Sequence, residues 1–156
     1  MSGEITAIEP QKHDTNRVNV FVDGAFALGL AVDLAVNLKV GMCLPAEAIA
    51  ELKVADGVER AREKALSYLT HRPRSKAEVR QYLTQRDFSE SVADEVIVRL
   101  ERVGLVNDTD FARFWVENRV KFRPRGRRML RYELYQKGIA DAIIEEALAD
   151  YDEMAA

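Results

Sequence analysis

Residues 71–88 read HRPRSKAEVRQYLTQRDF, and residues 122–139 read FRPRGRRMLRYELYQKGI. The second phrase is a reworked copy of the first, 51 residues further on. Arg72, Pro73, Arg74, Arg80 and Gln85 meet Arg123, Pro124, Arg125, Arg131 and Gln136 identically. Apolar positions also match: Val79 with Leu130, Leu83 with Leu134, Phe88 with Ile139, Val92 with Ile143. Fixed-offset similarity of this kind marks stacked units that cover one another's apolar faces. Proline at the start of each phrase pushes the preceding residue out of the α region, so the phrase is a joint between two helices.

The periodicity around each joint predicts three helices per unit of about 45–50 residues. In the first copy, Ala61, Ala65 or Leu66, and Leu69 share a stripe. Ser75 followed by Glu78 is a capping box that opens the second helix. Ser89 caps the third, where Val92, Val96, Leu100 and Val103 recur, and Gly104 supplies a left-handed stop. In the second copy, Asn107 or Asp108 caps a helix carrying Phe111, Trp115 and Asn118 or Arg119. Gly126 stands where Ser75 stood, and Gly138 ends the middle helix. Ala140 takes the cap slot of Ser89, which costs about 1 kcal/mol.

Ahead of the repeats, RVNVFVDGAFALGL alternates Val18, Val20 and Val22 with Asn19 and Phe21, then offers Asp23-Gly24 for a tight turn. That is a hairpin signature, and ITAIE is placed to add a third strand. Short helices are expected next: Asp33 to cap LAVNL, Gly41 to end it, Pro45 to sit in the first turn of its successor. The expected fold class is mainly α: two tandem three-helix-bundle repeats preceded by a small N-terminal β-hairpin/α segment. The expected boundaries are 1–56, 57–105 and 106–156. A chain of 156 residues arranged this way buries less than one compact domain would.

Composition narrows the function. No apolar run approaches the roughly 20 residues of a membrane span. MSGEITAIEP lacks a basic start and an apolar core, so no secretion signal is expected. Cys43 is the sole cysteine, which excludes an internal disulfide and fits a reducing cytoplasm. His13 and His71 lie in unrelated segments, and neither a phosphate-binding loop nor an HExxH motif is present. Asp108 and Asp110 read as helix-start acids rather than a catalytic pair. Cys43 reads as a small buried apolar residue. The chain is expected to be no enzyme and to carry no cofactor or metal.

Charge is segregated. Residues 113–137 hold 9 Lys/Arg against 2 Asp/Glu, net +7, and residues 138–156 hold 6 acids and no base. Residues 1–56 carry net −4 and residues 57–112 are balanced. Arg119, Lys121, Arg123, Arg125, Arg127, Arg128 and Arg131 crowd the second joint. Cations near a helix N-terminus are disfavoured by about 0.3–1 kcal/mol each. Arg127 and Arg128 therefore stand where local helix stability would not put them, which points to an anionic partner. Arginine's bidentate fork suits carboxylate and phosphate. The competing explanation is a solvated network with Glu117, Glu133, Asp141, Glu145 and Glu146. Phe114, Trp115 and Tyr132 could stack on bases, although Trp115 at helical spacing reads as core.

ALSYLTHRPRSKAEVRQYL, VIVRLERVGLVNDTDFARFWVENRV and RPRGRRMLRYELYQKGI together resemble the RecX family, regulators of the RecA recombinase, over roughly residues 57–150. The N-terminal hairpin is similar to the extension some members carry. The resemblance implies tandem three-helix repeats and a non-enzymatic, cytoplasmic protein. It implies binding in the groove of a RecA–DNA filament, usually restraining ATP hydrolysis and strand exchange in DNA repair and recombination, within the SOS response. The filament presents phosphate backbone and acidic protein surface, to which the second joint would be the main contact and Arg72, Arg74 and Arg80 a secondary one. Members commonly have three repeats. Two are expected here, with Ile144, Leu148 and Tyr151 at an open end. Two rival readings are a direct, non-sequence-specific binder of single- or double-stranded DNA, and a structural adaptor docking through the acidic residues 1–56.

Overall fold

A computed structural model of the chain describes residues 2–122, 126–149 and 151, with the side chains of 2 and 120–122 excepted. It divides into two compact units, Met1–Arg60 and Ala61–Ala156.

The first unit is a four-stranded antiparallel sheet with helix packed on it. The strands are β1 (Ser2–Pro10), β2 (Arg17–Val22), β3 (Ala25–Ala31) and β4 (Cys43–Pro45), in the order β3-β2-β1-β4. Asp23 and Gly24 both have positive φ, 52° and 82°, as the hairpin turn between β2 and β3 requires. Ile5, Val20, Leu28, Leu30 and Leu44 form the core, against which Ala48, Ile49 and Leu52 of helix α1 (Ala46–Leu69) pack. Asp56 of α1 is buried, yet its carboxylate is fully engaged. It accepts from both terminal nitrogens of Arg17 at 3.1 and 2.8 Å and from the Ala31 N–H at 3.0 Å.

Residues 32–45 depart from the expected short helices. Only one 3-10 turn forms, Val32–Ala35, and its N-cap position is Ala31, not Asp33. The Gly41 N–H donates to the Ile5 carbonyl at 2.8 Å, and Met42 O accepts from the Ile5 N–H at 2.9 Å. These bonds draw the segment onto β1 and make β4, so edge pairing outcompetes a short, poorly nucleated helix. Pro45 precedes α1 instead of entering it, and α1 then runs unbroken through Gly57. Cys43, expected inside, is exposed because β4 is an edge strand that turns only Leu44 into the core.

The second unit contains the end of α1, then α2 (Lys76–Gln85), α3 (Glu90–Arg102), α4 (Asp108–Phe122), α5 (Arg127–Gln136) and α6 (Asp141–Leu148). Ala61, Ala65, Val79, Leu83, Ala93, Val96, Ile97 and Leu100 are buried in the first copy. The stripe of α3 is turned from the expected one: Ala93 and Ile97 are inside and Val103 is exposed. Phe111, Ala112, Val116, Leu130, Leu134, Ile139, Ile144, Leu148 and Tyr151 form the core of the second copy. Ile144, Leu148 and Tyr151 are thus inside their own module and not at an open end, because α6 turns its apolar face onto α4 and α5.

The caps follow local chemistry. The Ser75 capping box is complete, and Ser89 Oγ accepts from Val92 N–H. Asn107, not Asp108, caps α4 through the Asp110 N–H. Neither Gly126 nor Ala140 contributes a side-chain cap bond.

Candidate docking site at the second helical joint

The first joint shows what the repeated phrase does when its partners are all in place. Arg72 reaches Glu78 with both terminal nitrogens, at 3.3 and 2.6 Å. Its guanidinium also lies 5.9 and 5.8 Å from the ring centres of Phe111 and Trp115. Arg74 covers Tyr68 at 3.9 Å, Tyr68 stacks on Tyr82 at 4.0 Å and 13°, and Arg86 covers the far side of Tyr82 at 3.6 Å. Arg80 grips Asp94 with two bonds of 2.9 and 2.7 Å.

The second copy docks onto this joint. Ser75 Oγ donates to the Lys137 carbonyl at 2.7 Å, and the Asp108 carboxylate accepts from the Lys76 N–H at 2.9 Å, capping α2 from outside its own module. Lys137 Nζ reaches Glu78 at 3.4 Å. Gly138, at φ +79°, lies so close to Ala77 that a Cβ there would collide with the alanine methyl. Trp115 is half-buried beside this contact: its Nε1 donates to Glu133 at 3.2 Å, and Arg119 and Lys137 lie 4.8 and 5.3 Å from its ring centre. Burial opposes ionisation of Glu78, but the Arg72 hydrogen bond, the Ser75 N–H and the charges of Arg72 and Lys137 outweigh it. The carboxyl is held below the ordinary glutamate range.

Ten basic residues stand out in the sequence, and the structure separates them. Arg72 and Arg119 point inward; Arg119 pairs with Glu133 at 3.2 Å. Arg74 is occupied by Tyr68. Arg80 and Arg131 are exposed but paired, Arg131 with Glu145 at 2.6 and 3.1 Å. That hydrogen bond raises the Arg131 pKa and, with the charges of Arg131 and Arg127, holds Glu145 low. Arg127 is half-buried and Arg128 exposed, and Arg128 has no ion pair among the described residues. Arg123 and Arg125 lie outside the described residues; Lys121 belongs to α4, but its side chain is not described.

The 51-residue offset explains more than the identities suggest. Asp94 corresponds to Glu145, so Arg80–Asp94 and Arg131–Glu145 are one tie between second and third helices, made twice. Extending the comparison from identical residues to like charges reveals this pair in the sequence. Other partners are not kept. Glu78, which satisfies Arg72, corresponds to Met129; Tyr68, which shields Arg74, corresponds to Arg119; Tyr82 corresponds to Glu133. The second phrase keeps Arg123 and Arg125, but at the positions of Glu78 and Tyr68 the sequence no longer offers a carboxylate or a ring.

The fold is that of a helical-repeat protein with a small antiparallel sheet ahead of it and a cationic second joint. Family models match all three parts: the regulatory protein RecX N-terminal domain over 3–44, the first RecX three-helix domain over 61–100 and the second over 107–148. The chain belongs to the RecX family of regulatory proteins. It is 37% identical over 149 residues to the regulatory protein RecX of Bacillus pumilus, covering 94% of this chain and 57% of that one. It is 33% identical over 148 residues to that of Lacticaseibacillus paracasei, covering 94% and 61%. Its fold matches a crystal structure of regulatory protein RecX with a TM-score of 0.83 at 27% identity, over 98% of this chain and 76% of that one. A RecX structure from Lactobacillus salivarius matches at 0.61 and 31%, over 65% and 66%. The chain spans under two thirds of the length of these curated relatives.

Proposed function

We propose that this chain modulates a RecA–DNA filament, seating in the filament groove and restraining recombinase ATP hydrolysis and strand exchange. The observation that carries this is the unequal chemistry of the two joints. In the first, Glu78 and Tyr68 take up Arg72 and Arg74. In the second, Met129 and Arg119 stand in their places, within a segment of net charge +7. Anionic phosphate or carboxylate supplied by a filament would take the place that Glu78 and Tyr68 fill in the first joint. Lys121, Arg123, Arg125, Arg127 and Arg128 are the assigned contacts. Arg80 and Arg131 are open to exchange their surface carboxylates, because exposed ion pairs contribute only about 0–1 kcal/mol. Arg72 holds the modules together in this reading, Arg119 ties α4 to α5 through Glu133, and Arg74 shields the Tyr68 ring. The mechanism is steric and electrostatic: occupying the groove opposes filament growth or closure of adjacent ATP sites.

The test is recombinase ATPase on single-stranded DNA with the joint reversed in charge, Arg125→Glu, Arg127→Glu and Arg128→Glu together. Loss of inhibition with a circular-dichroism melt near that of the parent is expected. Full inhibition by the variant sinks the assignment.

A further inference from the structure

The outward face of α5 is the least explained surface of the second unit. Arg128, Tyr132, Tyr135 and Gln136 lie on successive turns of that face, while Leu130 and Leu134 on the opposite side are buried. Tyr132 is 58% and Tyr135 64% exposed, and Met129 beside them 47%. Among the described residues neither tyrosine side chain has a hydrogen-bond or ring partner. Single exposed aromatics need no explanation, but these two share a stripe with Arg128, which has no ion pair among the described residues.

The fold does not require them. In the first copy the same positions hold Ala77, Gln81 and Thr84, on a helix of the same length with the same buried pair, Val79 and Leu83. Nor would a following module cover the two tyrosines. The second module contacts the first at Ser75, Lys76, Ala77 and Glu78, leaving Gln81 exposed. The same translation would place a further module at residues 126–129, beside Arg128, and leave the Tyr132 and Tyr135 rings open.

We infer that this face binds single-stranded polynucleotide, with phosphate held at Arg128 and two unpaired bases stacked on Tyr132 and Tyr135. Charge selects an anion: the helix stands inside the +7 segment. The two open rings select unpaired bases, because a duplex has already stacked its base faces internally, and stacking on exposed aromatics is tolerant of sequence. The inference extends the filament reading by giving α5 the nucleic-acid strand, and it is tested without any recombinase, so either can fail alone.

The experiment is fluorescence anisotropy of a labelled oligo-dT of about 20 nucleotides, and of a duplex of equal length, with the whole chain at low and moderate salt. Tighter binding of the single strand is expected. Tyr132→Ala with Tyr135→Ala should weaken it by about tenfold or more for each stacked base lost. Tyr132→Phe with Tyr135→Phe should restore it to within about twofold. Arg128→Ala should lower the salt slope by about 0.7. Because these side chains are exposed, the melt should not move in any of the variants. No binding of the parent to the single strand, equal binding of duplex, or parental binding by the alanine pair each overturns the inference. If the alanine pair loses only a recombinase filament and not the bare strand, the face docks protein. The polynucleotide assignment then fails while the filament reading survives.

Discussion

Gly138 carries two independent demands, and the structure contains the control that separates them. Its φ of +79° is a left-handed conformation that costs a Cβ-bearing residue about 1–2 kcal/mol. Gly104 has φ +78°, and a Cβ there would meet nothing within 4 Å. At Gly138 a Cβ would strike the Ala77 methyl, and both atoms are fixed to backbone, so no rotamer relieves the overlap. Overpacking of this kind adds about 1–3 kcal/mol. Gly104→Ala should therefore cost about 1–2 kcal/mol, and Gly138→Ala about 2–5 kcal/mol. The difference belongs to the contact between modules. In an Ala77→Gly background, Gly138→Ala should fall back to the cost of Gly104→Ala, a coupling visible in a double-mutant cycle. Urea unfolding followed by far-ultraviolet circular dichroism measures all four variants. Equal destabilisation by Gly104→Ala and Gly138→Ala, or no rescue by Ala77→Gly, would refute the close approach of α2 to the turn after α5.

Glu78 has a folded-state pKa below its unfolded value, so it stabilises the fold above the unfolded carboxylate range and loses that contribution as pH falls through the folded value. Glu78→Gln should flatten the acid limb of a stability–pH profile over that window; a limb of unchanged slope would remove Glu78 from the contact between modules. Ala140→Ser should give α6 the side-chain cap that α3 has in Ser89, raising stability by about 1 kcal/mol in the same urea assay; no gain would mean that the α6 start cannot adopt the Ser89 cap geometry.

Much of the helical half was legible because it is written in short-range chemistry. Ser75 with Glu78, Ser89 and Gly104 name helix ends within four residues of themselves, and each does what its position predicts. The stretch 32–45 misled for the opposite reason. Its helix signals are real but weak, and they lose to bonds with Ile5, far earlier in the chain. The α3 stripe is turned because Val92-Val96-Leu100-Val103 and Ala93-Val96-Ile97-Leu100 share Val96 and Leu100 and are nearly equal as patterns, and only the neighbouring helices select between them. Asp108 shows the same limit at a site. Its place at a helix start is evident from its position, but the N–H it caps belongs to another module.

The duplicated phrase, its proline-marked joints and its concentration of positive charge follow from amino-acid order alone, since offset, periodicity and capping act along the chain. Which arginines are spent internally does not. That depends on a carboxylate or ring from a different turn or module arriving within about 3–4 Å, as Glu78 does for Arg72, Glu133 for Arg119 and Glu145 for Arg131. Coulomb and hydrogen-bond terms are decided by distance in space, and only the packed helices set that distance.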